Sequence, residues 1–153
     1  MVDAKEYLSR VRLADTKINT KLDDLAQTKA LALKVTSTLK QDSVSSSGRK
    51  DKVGDAVAKI VDLERDIDRA IDAYINFKKE VSAVIDQLDN ASQIEVLYKH
   101  YFGVWSEEEQ RPYYLSLEEL AVEMHMSYRN VCYVHGAALK AVGEILKERE
   151  GNA

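Results

Sequence analysis

Apolar residues recur from about Asp3 to Gln41 in alternating steps of three and four: Leu8, Val11, Ile18, Leu22, Leu25, Ala32 and Leu39, with Asp15, Lys29 and Thr36 at the remaining steps. That spacing is a heptad seam on one long helix. A polar stretch, Ser43–Asp51 (SVSSSGRKD), then reads as a turn. A second seam follows at Val53, Val57, Ile60, Glu64, Ile67, Ile71, Tyr74, Lys78, Val81, Ile85 and Leu88. A short connection favours antiparallel neighbours, so the pattern predicts a coiled-coil-like helical hairpin, each arm about 55 Å long at ~1.5 Å per residue. Lys29 and Glu64 have numbers that add to 93, and so do Asp15 and Lys78. Opposite charges are therefore expected to meet near the seam twice and to fix the register. Leu13, Leu31, Leu33, Val61, Leu63, Ile75 and Phe77 fall outside the seam. They need a cover, either a second copy in a four-helix bundle or the C-terminal helices.

Beyond the hairpin the elements shorten. Asp89-Asn90 caps a helix whose stripe is Ile94, Leu97, Tyr98 and Tyr101 and which ends near Gly103. Val104–Tyr114, with three successive glutamates and the single Pro, reads as a loop. Ser116 with Glu119 forms a capping box, followed by the stripe Leu117, Leu120, Ala121 and Met124. His125-Met126 breaks that pattern and Ser127 is a second N-cap. The last stripe is Val131, His135, Ala138, Leu139, Val142 and Leu146. Two helices joined by a short turn, with the small Ala121 at the approach, predict a helix-turn-helix. The expectation is an all-α protein: a helical hairpin over 1–89, for dimerisation or partner binding, and a helix-turn-helix domain over 90–153.

Composition narrows the classes. One Cys leaves no internal disulfide and no Cys-rich zinc module. No apolar run approaches the ~20 residues of a membrane span, and the first residues carry no apolar signal core, so a cytoplasmic protein without a membrane partner is expected. The net charge is −4, and residues 91–153 carry 6 Lys and Arg against 10 Asp and Glu. Phosphate binding would have to come from a local patch rather than from bulk charge. No nucleophile elbow, phosphate loop, His-Glu zinc motif or E-x-x-H pair is present, so neither an enzyme nor a cofactor is expected.

Several short motifs resemble region 4 of sigma-70-type factors: Glu95-Val-Leu, Tyr101-Phe-Gly, Leu117-Glu-Glu-Leu-Ala, Met126-Ser127, Val131 and His135-Gly-Ala-Ala-Leu139. With the Tyr7-Leu8 opening, the Val44-Ser-Ser-Ser-Gly48 turn and Tyr133-Val-His135, nearly the whole chain resembles a family of phage- and prophage-encoded proteins from Gram-positive bacteria. These pair a helical hairpin with a sigma region-4-like helix-turn-helix. The resemblance implies a transcription regulator similar in arrangement to the ArpU and RinA regulators of phage late genes, working in the bacterial host cytoplasm. The chain differs from that pattern in three places. His125 stands where the turn has Gly, which requires a positive φ there. Ala137 stands where a basic residue is usual, and the loop 104–114 is longer and more acidic.

The candidate DNA-binding residues are Ser127, Tyr128, Arg129, Asn130, Tyr133 and Lys140. In a helix-turn-helix the second helix presents its first residues to the major groove. Arg is suited to bidentate contact with guanine and Asn with adenine. A capping Ser can also leave a helix N-terminus open to a phosphate. The same residues equally fit an ordinary solvated helix start. His135, on the buried stripe, is expected to be a hydrogen-bonded core histidine rather than a metal ligand. The expected partners are double-stranded promoter or operator DNA, bacterial RNA polymerase and a second copy of the chain. A different class also fits: a protein-interaction module, acidic and non-enzymatic, that binds host polymerase or another host protein and keeps the helix-turn-helix only as scaffold.

Overall fold

The computed structural model describes residues 3–41 and 47–152. The order is α1 (Ala4–Gln41), α2 (Ser47–Ile85), α3 (Ala91–Leu97), a π-helical turn (Tyr98–Phe102), β1 (Val104–Ser106), β2 (Arg111–Tyr113), α4 (Leu117–Glu123) and α5 (Tyr128–Gly151). The fold is all-α apart from the small two-stranded ribbon, and α1 and α2 pack against each other. No helix among the described residues is long and apolar enough to cross a membrane. Two compact units result, Met1–Leu13 with Asn76–Ala153, and Ala14–Ile75.

In the unit Ala14–Ile75 the seam follows the heptad only in part. Ile18 and Ile67 are buried, but Leu22 and Val57 are 43% and 52% exposed, while Thr28 is buried where Lys29 was expected. Beyond Ile18 the inner positions of α1 run Lys21, Leu25, Thr28, Ala32 and Val35, one residue earlier than the strict repeat at alternate steps. Two consecutive steps of three, from Asp15 to Ile18 and on to Lys21, account for the shift. Thr28 is accommodated because its hydroxyl donates to the Asp24 carbonyl at 2.8 Å. On α2, Ala56 and Leu63 are half-buried while Val57 and Glu64 turn outward. The Lys29–Glu64 pair forms, with Nζ 3.4 Å from Oε1 and both side chains about half exposed (53% and 50%).

The expected turn over Ser43–Asp51 is corrected in part. Ser47–Asp51 are helical and begin α2, and the rest of the turn lies outside the described residues.

The other unit closes a denser core. Leu8 and Val11 from α1, Val81, Val84 and Ile85 from α2, and Leu97 from α3 are all fully buried. A second cluster gathers Val96, Leu115, Leu120, Ala121 and Val131, with Leu117, Met124, Met126 and Val134 packed on it. Polar links run between these elements. Tyr98 donates to Asp86 at 2.9 Å and lies 2.6 Å from the Ser82 hydroxyl. Lys78 lies 5.3 Å from the centroid of the Phe102 ring and Arg12 lies 4.7 Å from that of Tyr114.

The stretch 104–114, expected as a loop, is instead an antiparallel ribbon with Trp105 opposite Pro112. Both of its strands are edges, where a Pro is tolerated. Its tip is held locally: the Glu109 N–H donates to the Ser106 hydroxyl at 3.2 Å, and the Gln110 side chain donates to the Glu107 carbonyl at 2.7 Å.

Candidate nucleic-acid interface

Asn90 caps α3 by accepting from the Gln93 N–H at 3.0 Å. The helix then widens into the π turn, closed by the Gly103 N–H on the Tyr98 carbonyl at 2.9 Å. This wider turn lets Tyr101 and Phe102, adjacent in sequence, both be buried. After the ribbon the chain is tied back: the Leu115 N–H donates to the Lys99 carbonyl at 3.2 Å and His100 Nδ1 donates to the Leu115 carbonyl at 2.7 Å.

The helix α4 starts on a reciprocal cap. The Glu119 N–H donates to the Ser116 hydroxyl at 3.1 Å and the Ser116 N–H to the Glu119 carboxylate at 3.3 Å. It ends at Met124 with paired bonds from the Met126 N–H to the Ala121 carbonyl (2.9 Å) and from the His125 N–H to the Val122 carbonyl (3.3 Å). These are the two bonds of a Schellman stop, and His125 takes the left-handed position at φ 55°. Met126 packs on the cluster that holds Ala121, completing the stop with an apolar contact. Ser127 follows at once and caps α5, accepting from the Asn130 N–H at 3.1 Å. Stop and start therefore share one four-residue connection, Met124–Ser127.

The exposure of α5 follows from its buried stripe, Val131, Ala138 and Val142. At about 100° per residue, Arg129, Tyr133, Gly136, Lys140, Glu144 and Lys147 share the opposite face, and all six are exposed. Tyr133 is 77% exposed. Arg129, Tyr133 and Lys140 thus fall on one line, with Asn130 on its flank. Tyr128 points away from that line toward Cys132, and the hydrogen bond between them raises the Tyr128 phenol above its ordinary pKa. Ser127 is exposed but serves as the cap. Lys147, one helical repeat beyond Lys140, extends the line and was missed; its i+7 spacing from Lys140 was the available signal. Beside Tyr133 and Lys140 the small residues Gly136, Ala137 and Ala141 line an open groove of about 580 Å³.

Two of the carboxylates on α4 are engaged. Glu123 accepts from Lys99 Nζ at 2.8 Å, and Lys99 also reaches Glu95 at 2.6 Å. Those two bonds, to Glu123 first and then Glu95, raise the Lys99 pKa. Glu119 accepts from the Tyr113 hydroxyl at 2.8 Å, which lowers its pKa. Glu107, Glu108 and Glu109 are exposed at the ribbon tip.

His135 is the hydrogen-bonded core histidine that the stripe predicts, its Nε2 2.8 Å from the Tyr101 hydroxyl. Burial, helped by His100 and Lys5, pushes its pKa down to about 4, and burial pushes Tyr101 up to about 12. Cys132 is a free, half-buried thiol, and no cluster of three metal-ligating side chains occurs among the described residues.

Comparison of the chain with protein-family models, with curated proteins and with solved structures gives no match.

Proposed function

We propose that α4 and α5 form a helix-turn-helix that reads double-stranded promoter or operator DNA, and that the protein is a non-enzymatic transcription regulator of a phage or prophage, acting as a homodimer in the bacterial cytoplasm. The observation that carries this reading is the exposed line Arg129–Tyr133–Lys140–Lys147 on α5, opened by a capped helix start and carrying Glu144 as its one acid. Arg129 and Asn130 are the base-reading residues, Tyr133 contacts a thymine methyl or a phosphate, and Lys140 contacts the phosphate backbone. Ser127 holds the helix start in place, and Tyr128 lies beside it on the flank. RNA polymerase is a second contact for such a regulator, as the resemblance to sigma region 4 implies.

The test is a fluorescence-anisotropy titration on duplexes that the chain itself selects from a random pool. Arg129→Ala should weaken binding about tenfold to a hundredfold. Lys140→Ala should lower the salt slope by about one. No binding at 50 mM salt, or an Arg129→Ala variant that binds as the wild type does, would end the reading.

The second reading, a protein-interaction module, is favoured by a different observation. The exposed Glu107–Glu109 tip stands beside Trp105, 55% exposed, in a half of the chain that is net acidic. It predicts unaltered partner capture in the Arg129→Ala variant and loss on neutralising the tip.

A further inference from the structure

The Lys29–Glu64 bridge marks one flank of the hairpin within Ala14–Ile75, because it crosses from α1 to α2 there. Helical neighbours of these two residues lie on the same flank. On α1 they are Leu22, seven residues before Lys29, and Leu33, four after it. On α2 they are Val57 and Val61 before Glu64, and Ile71 and Ile75 after it. Leu22, Leu33, Val57, Val61 and Ile75 are 43%, 69%, 52%, 40% and 44% exposed, so the flank is an apolar strip with an ion pair at its middle. Leu31, two residues from Lys29, lies outside it.

We infer that this flank is the interface with a second copy of the chain, packed as a parallel two-fold pair of hairpins with α1 of one copy on α2 of the other. The bridge puts Lys29 and Glu64 at nearly the same height, within the reach of their side chains. A two-fold along the hairpin preserves that height. It sets the exposed Leu22 and Leu33 of α1 against the strip of Val57, Val61 and Ile75 on α2 of the partner copy. The same operation places Lys29 on the partner's Glu64, so two lysines and two glutamates alternate in sign around the axis. Asp68, one turn after Glu64, offers the opposing Lys29 a second carboxylate. From the level of Ile75 to that of Val57 the strip is about 27 Å long and about 20 Å across two helices. That footprint, on the order of 500 Å² per copy before side-chain relief, is smaller than the ~800 Å² per partner of a standard interface and stands at the lower limit for a specific pair.

This deepens the homodimer part of the proposed function. It is tested by mass alone, with no DNA present, so its failure and the failure of DNA reading are separate results. Sedimentation equilibrium of the full chain at 100 µM should give twice the 17.3 kDa chain mass. Lys29→Glu alone and Glu64→Lys alone should each raise the dimer dissociation constant at least tenfold, and an equimolar mixture of the two should restore a heterodimer. Leu33→Glu, at a position too exposed to disturb the fold of one chain, should give the monomer mass with unchanged far-UV circular dichroism. A wild-type monomer, a Leu33→Glu variant that still dimerises, or a mixture that does not recover the dimer overturns the inference.

Discussion

Among residues 14–37 and 51–75, Ile18, Thr28 and Ile67 are the buried side chains, whereas the other unit buries residues from α1, α2, α3, the π turn, α4 and α5. Both units are built mainly from amphipathic helices. What differs is the number of neighbours each helix has. A helix with a single partner covers a narrow stripe of its surface and leaves leucines such as Leu33 uncovered within one chain. One touched by several elements can bury residues as bulky as Leu97 and Leu120 completely. Local amphipathicity therefore decides that a helix forms, and the count of packing partners decides how much it contributes to stability.

The sharpest way to break that contrast is to empty the denser core. Leu120→Ala should destabilise the protein by about 3 kcal/mol in urea unfolding, within the usual 2–5 kcal/mol for a fully buried leucine. A loss below about 1 kcal/mol would mean that the core is not closed.

Acid is the next test. His135 is held neutral, with its pKa lowered to about 4 from 6.5. The unfolded chain takes up this proton first, so the stabilisation is complete above about pH 6.5 and is lost as pH falls toward 4. Because the ring is only half-buried, solvent screening should hold the loss to on the order of 2 kcal/mol. Thermal melts of wild type and His135→Gln should diverge over that interval, and parallel curves would contradict the assignment.

The smallest effect compares one ion pair from each unit. Lys99, its side chain 25% exposed between Glu95 and Glu123, should cost about 1 kcal/mol when changed to Met. Lys29, 53% exposed, should cost only about 0.3 kcal/mol in dilute monomer. Equal costs would remove the distinction between a sheltered pair and an open one.

Much of this was legible in the residues. The caps at Asn90, Ser116 and Ser127, the left-handed turn at His125, the Lys29–Glu64 pair and the hydrogen-bonded His135 are all local or fixed by register, and sequence encodes both. The ribbon was not legible, because three-residue strands are too short to show an alternating pattern. Its pairing depends on side-chain bonds at the tip and on the approach to Gly103. The π turn left no signal either, since an extra residue in one helical turn is invisible to a stripe that already ends there. In α1 the assumption of a strict seven-residue repeat placed Lys29 inward, while the helix chose Thr28, whose hydroxyl finds a carbonyl in its own turn.

At the candidate interface the helix start and its cap were legible, but the grouping of the side chains around α5 was not. Six residues were expected together. The helix divides them into a line through Arg129, Tyr133 and Lys140, a flanking Asn130, a cap at Ser127 and a Tyr128 turned toward Cys132. Only the angular position around α5 separates them, and that depends on which side is buried.

Gly103 sits at φ 81°, and a methyl group there would stand 2.8 Å from the Tyr113 carbonyl oxygen. No other amino acid fits, so the acidic ribbon is seated by a missing side chain. Any side chain placed there must push β2 away from the π turn, so the seat of the acidic tip is set by backbone packing rather than by the glutamates themselves.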